Sequence, residues 1–254
     1  MSKKTDKKIP VEETANLHVP ITTKEEIEKN ILTQSDAAAR EFREGFEFLE
    51  KYPHRVTIFG SARALPESLH YKAAEELAAK ISAELNLVVV TGAGPGIMEA
   101  ANKGVRIERD NPAPIGSVKN SPKTIGLSIG LPREQHVNKY VDDSMCFNHF
   151  FARKAMLAFA DKAYVFFPGG FGTFDELFGI LTMIQTHKIP RVPVILVGSD
   201  FWKPLTNFIR TNLFENHASI SKGDMHIYTV SDDVSQIIDI IKKGPNSEWW
   251  NDAD

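Results

Sequence analysis

Ala163-Tyr-Val-Phe-Phe167, followed at once by Pro168-Gly169-Gly170-Phe171-Gly172-Thr173-Phe174-Asp175-Glu176, is the stretch around which the rest of the chain can be arranged. Five apolar residues suit a buried strand, the glycines a turn, and the apolar spacing from Phe174 to His187 a helix. A turn of this kind points backbone N–H groups outward at a helix N-terminus, where the macrodipole adds partial positive charge, so it is a ready phosphate site. Three glycines also allow positive φ and close backbone approach. A purely structural alternative stands beside this reading. Thr173 and Glu176 have capping-box spacing, in which Glu176 does no more than reach back to the Thr173 N–H. Carboxylates beside a bound phosphate raise its electrostatic cost, however, so Asp175 and Glu176 together suggest that at least one has another task.

Upstream, Phe150 to Ala160 reads as a helix that is apolar around most of its circumference and is interrupted by Arg153 and Lys154. Burying either charge unpaired is expensive. A ligand phosphate or carboxylate would relieve that cost, as would snorkelling to solvent or pairing with Asp161 or Glu176.

Nearer the N-terminus, Arg55 to Gly60 reads as a first strand ending in the small-residue turn Gly60-Ser61-Ala62 before Arg63. Ser68 to Leu85 is an amphipathic helix, and Leu87 to Thr91 a second strand. That strand runs into Gly92-Ala93-Gly94-Pro95-Gly96-Ile97-Met98-Glu99, another glycine turn opening a helix. Its spacing is not the dinucleotide fingerprint, and no Walker A lysine follows. Tight helix–sheet packing and ligand binding both account for these glycines.

A loop over 110–123, a third strand over Thr124 to Gly130, and a fourth near Met145 to Phe147 come next. Beyond the central motif lie a strand over Arg191 to Gly198, a helix over Phe201 to Phe214, a strand over Ile227 to Val230, and a closing helix capped by Ser231. Apolar strands alternating with amphipathic helices predict a parallel sheet covered on both faces. Residues 1–21 read as a disordered tail, 22–52 as an added helical arm with a capping box at Thr23 to Glu26, 53–243 as one domain, and 244–254 as a polar tail carrying Trp249 and Trp250.

A hydrophobic share of 42% and a charged share of 25% over 254 residues are ordinary for one large globular domain. A formal charge of −3 supplies no overall attraction to nucleic acid or an acidic membrane, and neither partner is expected. No apolar run reaches the roughly 20 residues of a membrane span, and a cytoplasmic location is expected. Cys146 is the single cysteine, which excludes an intrachain disulfide; its apolar neighbourhood suggests a buried structural thiol.

Taken together, Pro168 to Glu176, the upstream Arg153-Lys154, Gly92 to Glu99 and Phe59-Gly60-Ser61-Ala62-Arg63 resemble the LOG ("lonely guy") family over about residues 55–242. The resemblance implies a Rossmann-like, doubly wound, mostly parallel α/β sheet with helices on both faces, here with an N-terminal helical extension. It implies hydrolysis of the N-glycosidic bond of a nucleoside 5′-monophosphate, AMP or a cytokinin ribotide, giving free base and ribose 5-phosphate. The catalytic pair of that family maps onto Arg153 and Glu176, and its phosphate-binding turn onto Gly169, Gly170, Phe171, Gly172 and Thr173. Candidate substrate-binding positions on the other segments are Gly60, Ser61, Gly92, Gly94, Gly96, Met98, Glu99 and Lys154. No cofactor or metal is expected, and a homo-oligomer, dimer or higher, is.

Chemistry suits these residue types independently: cleaving a ribosyl–base bond develops positive charge at the anomeric carbon, which a carboxylate can stabilise while it positions water. A second class stays open, a nucleotide or pterin-cofactor binding or carrier protein, because the fold alone does not settle turnover. Members of the family have also been labelled lysine decarboxylases. That chemistry needs a Schiff-base lysine for pyridoxal phosphate, for which Lys154 is the sole nearby candidate.

Overall fold

The computed structural model describes residues 24–110, 123–130, 137–160 and 162–244. Helix α1 spans Lys24–Glu50, and strand β1 follows at Arg55–Phe59. Then come α2 (Leu69–Leu85), β2 (Val88–Thr91), α3 (Ile97–Asp110), β3 (Thr124–Ile129) and β4 (Asp143–Phe147). The second half holds α4 (Phe150–Leu157), β5 (Ala163–Phe166), α5 (Phe171–Gln185), β6 (Val194–Leu196), α6 (Ser199–Phe208), β7 (Tyr228–Val230) and α7 (Val234–Lys243). Helix α6 runs on into a π-helical stretch, Ile209–Asn216.

The seven strands form one sheet in the order β4-β3-β2-β1-β5-β6-β7, and every neighbouring pair is parallel. The expected doubly wound α/β sheet is thus present, and wholly parallel. Strand geometry divides its side chains between two cores. Val56, Ile58, Val89, Val165 and Ile195 pack with α2, α3 and α7 on one face. Phe59, Val90, Leu127, Phe147, Tyr164 and Phe166 pack with α1, α4, α5 and α6 on the other. Both faces are covered, which is why the strands read as continuous apolar runs rather than alternating ones.

From β1 the chain winds outward through β2, β3 and β4; it then returns to the other side of β1 as β5. The carboxyl ends of β1 and β5 therefore flank a topological switch point, the place where open α/β sheets bind ligands. The N-terminal arm packs on its own domain. Phe48, Leu49 and Tyr52 enter the α4–α5 core, Phe42 stacks on Phe151, and Phe46 meets Phe159 edge-on.

Three expectations change. Cys146 is exposed. Strand β4 is an edge strand: it turns Phe147 and, in part, Met145 toward α1 and α4, while Ser144 and Cys146 alternate onto the side those helices leave open. Helix α5 begins at Phe171, earlier than the Phe174 that apolar spacing marks, with Gly170 as its N-cap. Helix α7 is capped by Asp233, which accepts from the Ser235 and Gln236 amides, rather than by Ser231, which lies two residues too early and whose Oγ donates to Gln236 Oε1 instead. The readings of residues 1–23, of residues 111–122 and 131–136, of Asp161 and of residues 245–254 fall outside the described residues.

Candidate active site

Three turns meet at the carboxyl edge of the sheet. The turn after β1 lies between the other two, because the Ser61 amide donates to Pro168 O (3.0 Å) and Ser61 O accepts from the Ile97 amide (3.0 Å). The two glycine loops, 76 residues apart from Gly92 to Pro168, are thereby fixed to one another through Gly60 and Ser61.

The glycines then separate by environment. A Cβ at Gly60 would lie 2.7 Å from Ile97 Cγ2, and one at Gly96, which has φ +69°, would run into Ser61 O. A Cβ at Gly169 would collide with Thr173 Oγ1. These three are glycine for packing. Gly170 and Gly172 have nothing within 4 Å of the corresponding position, so the N-terminal edge of α5 opens onto free space. Phe171 between them is 97% exposed, so the turn is neither lidded nor packed there. The Gly94 carbonyl faces inward and accepts from Asn138 Nδ2 at 3.0 Å.

The capping box does not form. Gly170 occupies the N-cap, no side chain caps α5, and the Thr173 amide is satisfied by Gly170 O at 3.0 Å. Glu176 is instead buried in the second turn of α5, 6% exposed, and its Oε2 has no hydrogen-bond partner. Burial pushes its carboxyl up to about 7, against the opposing pull of the Arg153 and Lys154 charges; Asp175 adds a smaller push in the same direction as burial. An acid of that kind exchanges its proton near neutrality.

Arg153 reaches from α4 across the end of β3, where its Nε donates to Leu127 O at 2.8 Å. Its Nη2 lies against Gly92, so close that a Cβ there would sit 2.5 Å away, with Met98 Sδ at 2.8 Å from the same point. Burial lowers the Arg153 proton affinity and the nearby Glu176 partly restores it. Among the described residues no ion pair joins the two: the guanidinium keeps its remaining N–H donors, and Glu176 an unpaired oxygen. Lys154 takes a separate course. Its Nζ bonds Asp175 Oδ1 (2.6 Å) and Asp175 O (3.0 Å), a partner outside the expected set of ligand, solvent, Asp161 and Glu176.

Glu99, next to Met98 in the first turn of α3, contributes its field to Tyr71 and Lys103. A feature the sequence reading missed supports the Gly92 loop from behind. Buried Asn102 accepts from Thr91 Oγ1 (2.9 Å) and Asn138 Nδ2 (2.8 Å) and donates to Thr124 Oγ1 (2.6 Å). Asn138 also donates to the O of Ala93, which is itself held at φ +62°. The one available sequence signal is a lone amide on the Ala100–Val105 apolar face of α3. No described helix is long and apolar enough to cross a membrane, and no His, Cys, Asp and Glu among the described residues are grouped to hold a metal ion.

A family described as "possible lysine decarboxylase" matches residues 98–241. The pyrimidine/purine nucleotide 5′-monophosphate nucleosidase of Escherichia coli (strain K12) is 28% identical over 172 residues, covering 63% of this chain. This chain spans about a third of that relative's length (34%). The probable cytokinin riboside 5′-monophosphate phosphoribohydrolase LOGL2 of Oryza sativa subsp. japonica is 26% identical over 190 residues, 74% of this chain and 72% of the rice protein. Among solved structures, the molybdenum cofactor carrier protein of Chlamydomonas reinhardtii superposes with a TM-score of 0.53 at 21% identity, covering 75% of this chain and 96% of its own. The molybdenum cofactor binding protein of Rippkaea orientalis gives 0.50 at 19%, covering 74% and 94%. At such identities the structures establish the shared fold.

Proposed function

The chain belongs to the possible lysine decarboxylase, or LOG, family, and from that premise we propose that it hydrolyses the N-glycosidic bond of a nucleoside 5′-monophosphate. The observation that carries this reading is Glu176: a buried carboxyl with one unpaired oxygen and a proton affinity poised near 7, beside a guanidinium with donors to spare. Most buried polar groups that serve structure alone find a partner.

In this reading the 5′-phosphate sits at the open Gly170–Gly172 edge of α5, where backbone amides and the helix dipole favour an anion. The bond from C1′ to the base nitrogen breaks as positive charge builds on the ribose, and ionised Glu176 stabilises that charge and aligns a water. Water oxygen bonds C1′ as the bond to the base nitrogen breaks; one water proton passes to Glu176, the departing base nitrogen takes a proton from solvent, and Glu176 releases its own to solvent, which restores the carboxylate. The products are free base and ribose 5-phosphate. Arg153, held from behind at Leu127, binds phosphate or the leaving base through its planar fork. For the lysine chemistry in the family's description the nearby candidate, Lys154, is poorly placed, since it directs its Nζ to both the side chain and the backbone of Asp175.

The test is chromatography of the products after incubating the pure protein with AMP, CMP, GMP and isopentenyl-AMP. Release of base together with an equal amount of ribose 5-phosphate is the expected result. Saturable binding of nucleotide with no base released from any of the four would replace hydrolysis by the carrier reading.

A further inference from the structure

Helix α4, which carries Arg153, is eight residues long, and its own N-cap, His149, makes no side-chain capping bond. The cap comes from the N-terminal arm instead. Glu41 of α1 accepts from the Asn148 amide and from Asn148 Nδ2 on Oε1, both at 2.9 Å, and from the His149 amide on Oε2 at 3.0 Å. His149 Nδ1 lies 3.1 Å from Oε2 without the alignment of a hydrogen bond, and Gln34, about two turns earlier in α1, approaches His149 Nε2 at 3.4 Å.

Glu41 is 8% exposed, a place where a carboxylate needs donors to be tolerated. Burial alone would raise its carboxyl, yet the bonds from Asn148 and His149 hold it below its ordinary 4.5. The negative charge sits at the positive end of the α4 dipole. The contact surface around it is close: Phe42 stacks on Phe151, and a Cβ at Gly45 would lie 2.8 Å from Met156 Cγ, so α1 approaches α4 at near-backbone distance. One turn downstream of the clamp, the Arg153 amide bonds His149 O at 3.2 Å.

We propose that Glu41 is a positioning residue: its carboxylate fixes the β4–α4 turn and, through the first turn of α4, the reach of Arg153 to Leu127 O and the Gly92 loop. The helical arm is then a working part of the site, present because a short helix without a cap of its own would let that guanidinium wander. Displacements near 1 Å at a site of this kind cost up to about a hundredfold in rate. The inference rests on Arg153 acting on a nucleotide, but its physical core, the coupling of Glu41 to Arg153, can be read without turnover.

Glu41→Gln keeps the shape and removes the charge. The first readout is solvent exchange of the Arg153 Nε–H in nitrogen-15 NMR, with the buried Trp202 Nε1–H, bonded to Val197 O at 3.0 Å on α6, as an internal control. Arg153 exchange is expected to accelerate between about tenfold and a hundredfold, the range for losing bonds to a charged acceptor, with Trp202 unchanged. Equal acceleration at both probes, or at neither, overturns the proposal, because a merely structural role would loosen the molecule as a whole. The second readout is kinetic: kcat on AMP falls by about tenfold or more with KM moved less than about threefold. In an Arg153→Ala background the same substitution has no further effect on kcat. Wild-type kcat in a folded Glu41→Gln protein overturns it as well. Wild-type protein inactive on every nucleotide sinks the hydrolase reading and leaves the clamp to be judged by the exchange measurement. Glu41→Asp, one methylene too short to span both amides, repeats each readout at smaller amplitude if Glu41→Gln does not fold.

Discussion

Replacing Glu176 by Gln should stabilise the protein at alkaline pH while removing its activity. In the folded chain the Glu176 carboxyl titrates near 7, against an ordinary value of 4.5. Between those values the native state holds a proton that the unfolded state has released, so stability falls as pH rises through the window. Below about pH 4.5 both states are protonated and the penalty is absent; above about pH 7 it is fully present. At 1.36 kcal/mol per pH unit it amounts to roughly 3 kcal/mol, and the 6% exposure of Glu176 leaves little solvent screening to reduce it. Glutamine has the size of the protonated acid and never ionises, so Glu176→Gln should match wild type at pH 4.5 and exceed it by about 3 kcal/mol at pH 8. In a chain of this length that corresponds to roughly 6–12 °C in Tm. The assay is urea unfolding followed by circular dichroism at both pH values. An offset that is the same at pH 4.5 and pH 8 would refute the reasoning, since it would place the effect in packing rather than ionisation.

The kinetic counterpart has the same sign: if the ionised carboxylate works, wild-type kcat/KM should rise with pH through about 7, and a profile flat from pH 5 to 8 would deny Glu176 that role. Arg153→Lys should lower kcat/KM at least about tenfold, because an ammonium cannot keep the Leu127 bond and still present a planar fork; full activity would show that a point charge suffices. Gly170→Val, at φ −95° with open space around it, should leave Tm within about 2 °C of wild type but weaken competition by inorganic phosphate, whereas equal kcat/KM on AMP and adenosine would remove the phosphate cradle altogether. Asn102→Ala should cost about 2–4 kcal/mol in denaturant unfolding, since it removes three buried hydrogen bonds, to Thr91, Thr124 and Asn138, at once; a loss under about 1 kcal/mol would mean that the network carries little.

Periodicity alone determined the seven strands, the helices between them and the parallel sheet, because residues buried on both faces must be apolar at consecutive positions, and that pattern survives without any knowledge of neighbours. Residue identity in the Gly169–Glu176 and Gly92–Glu99 segments likewise marked the two turns that meet at the carboxyl edge of the sheet, since glycine at a strand end permits the sharp turn that opens a helix there. Tertiary structure decided what each glycine is for: Gly60, Gly96 and Gly169 are filled by Ile97, Ser61 and Thr173, while Gly170 and Gly172 face open space. It decided against the capping box for Glu176, because the start of α5 at Phe171 puts the buried carboxyl in the second turn, beyond reach of the N-cap. It sent Lys154 to Asp175 and Arg153 to Leu127, and it exposed Cys146 on an edge strand. It also joined Glu41 to His149 and Asn102 to Asn138, contacts between residues 108 and 36 positions apart. Such partners have no shared period for a sequence pattern to reveal; they become neighbours only when the packing of two separate elements sets their distance.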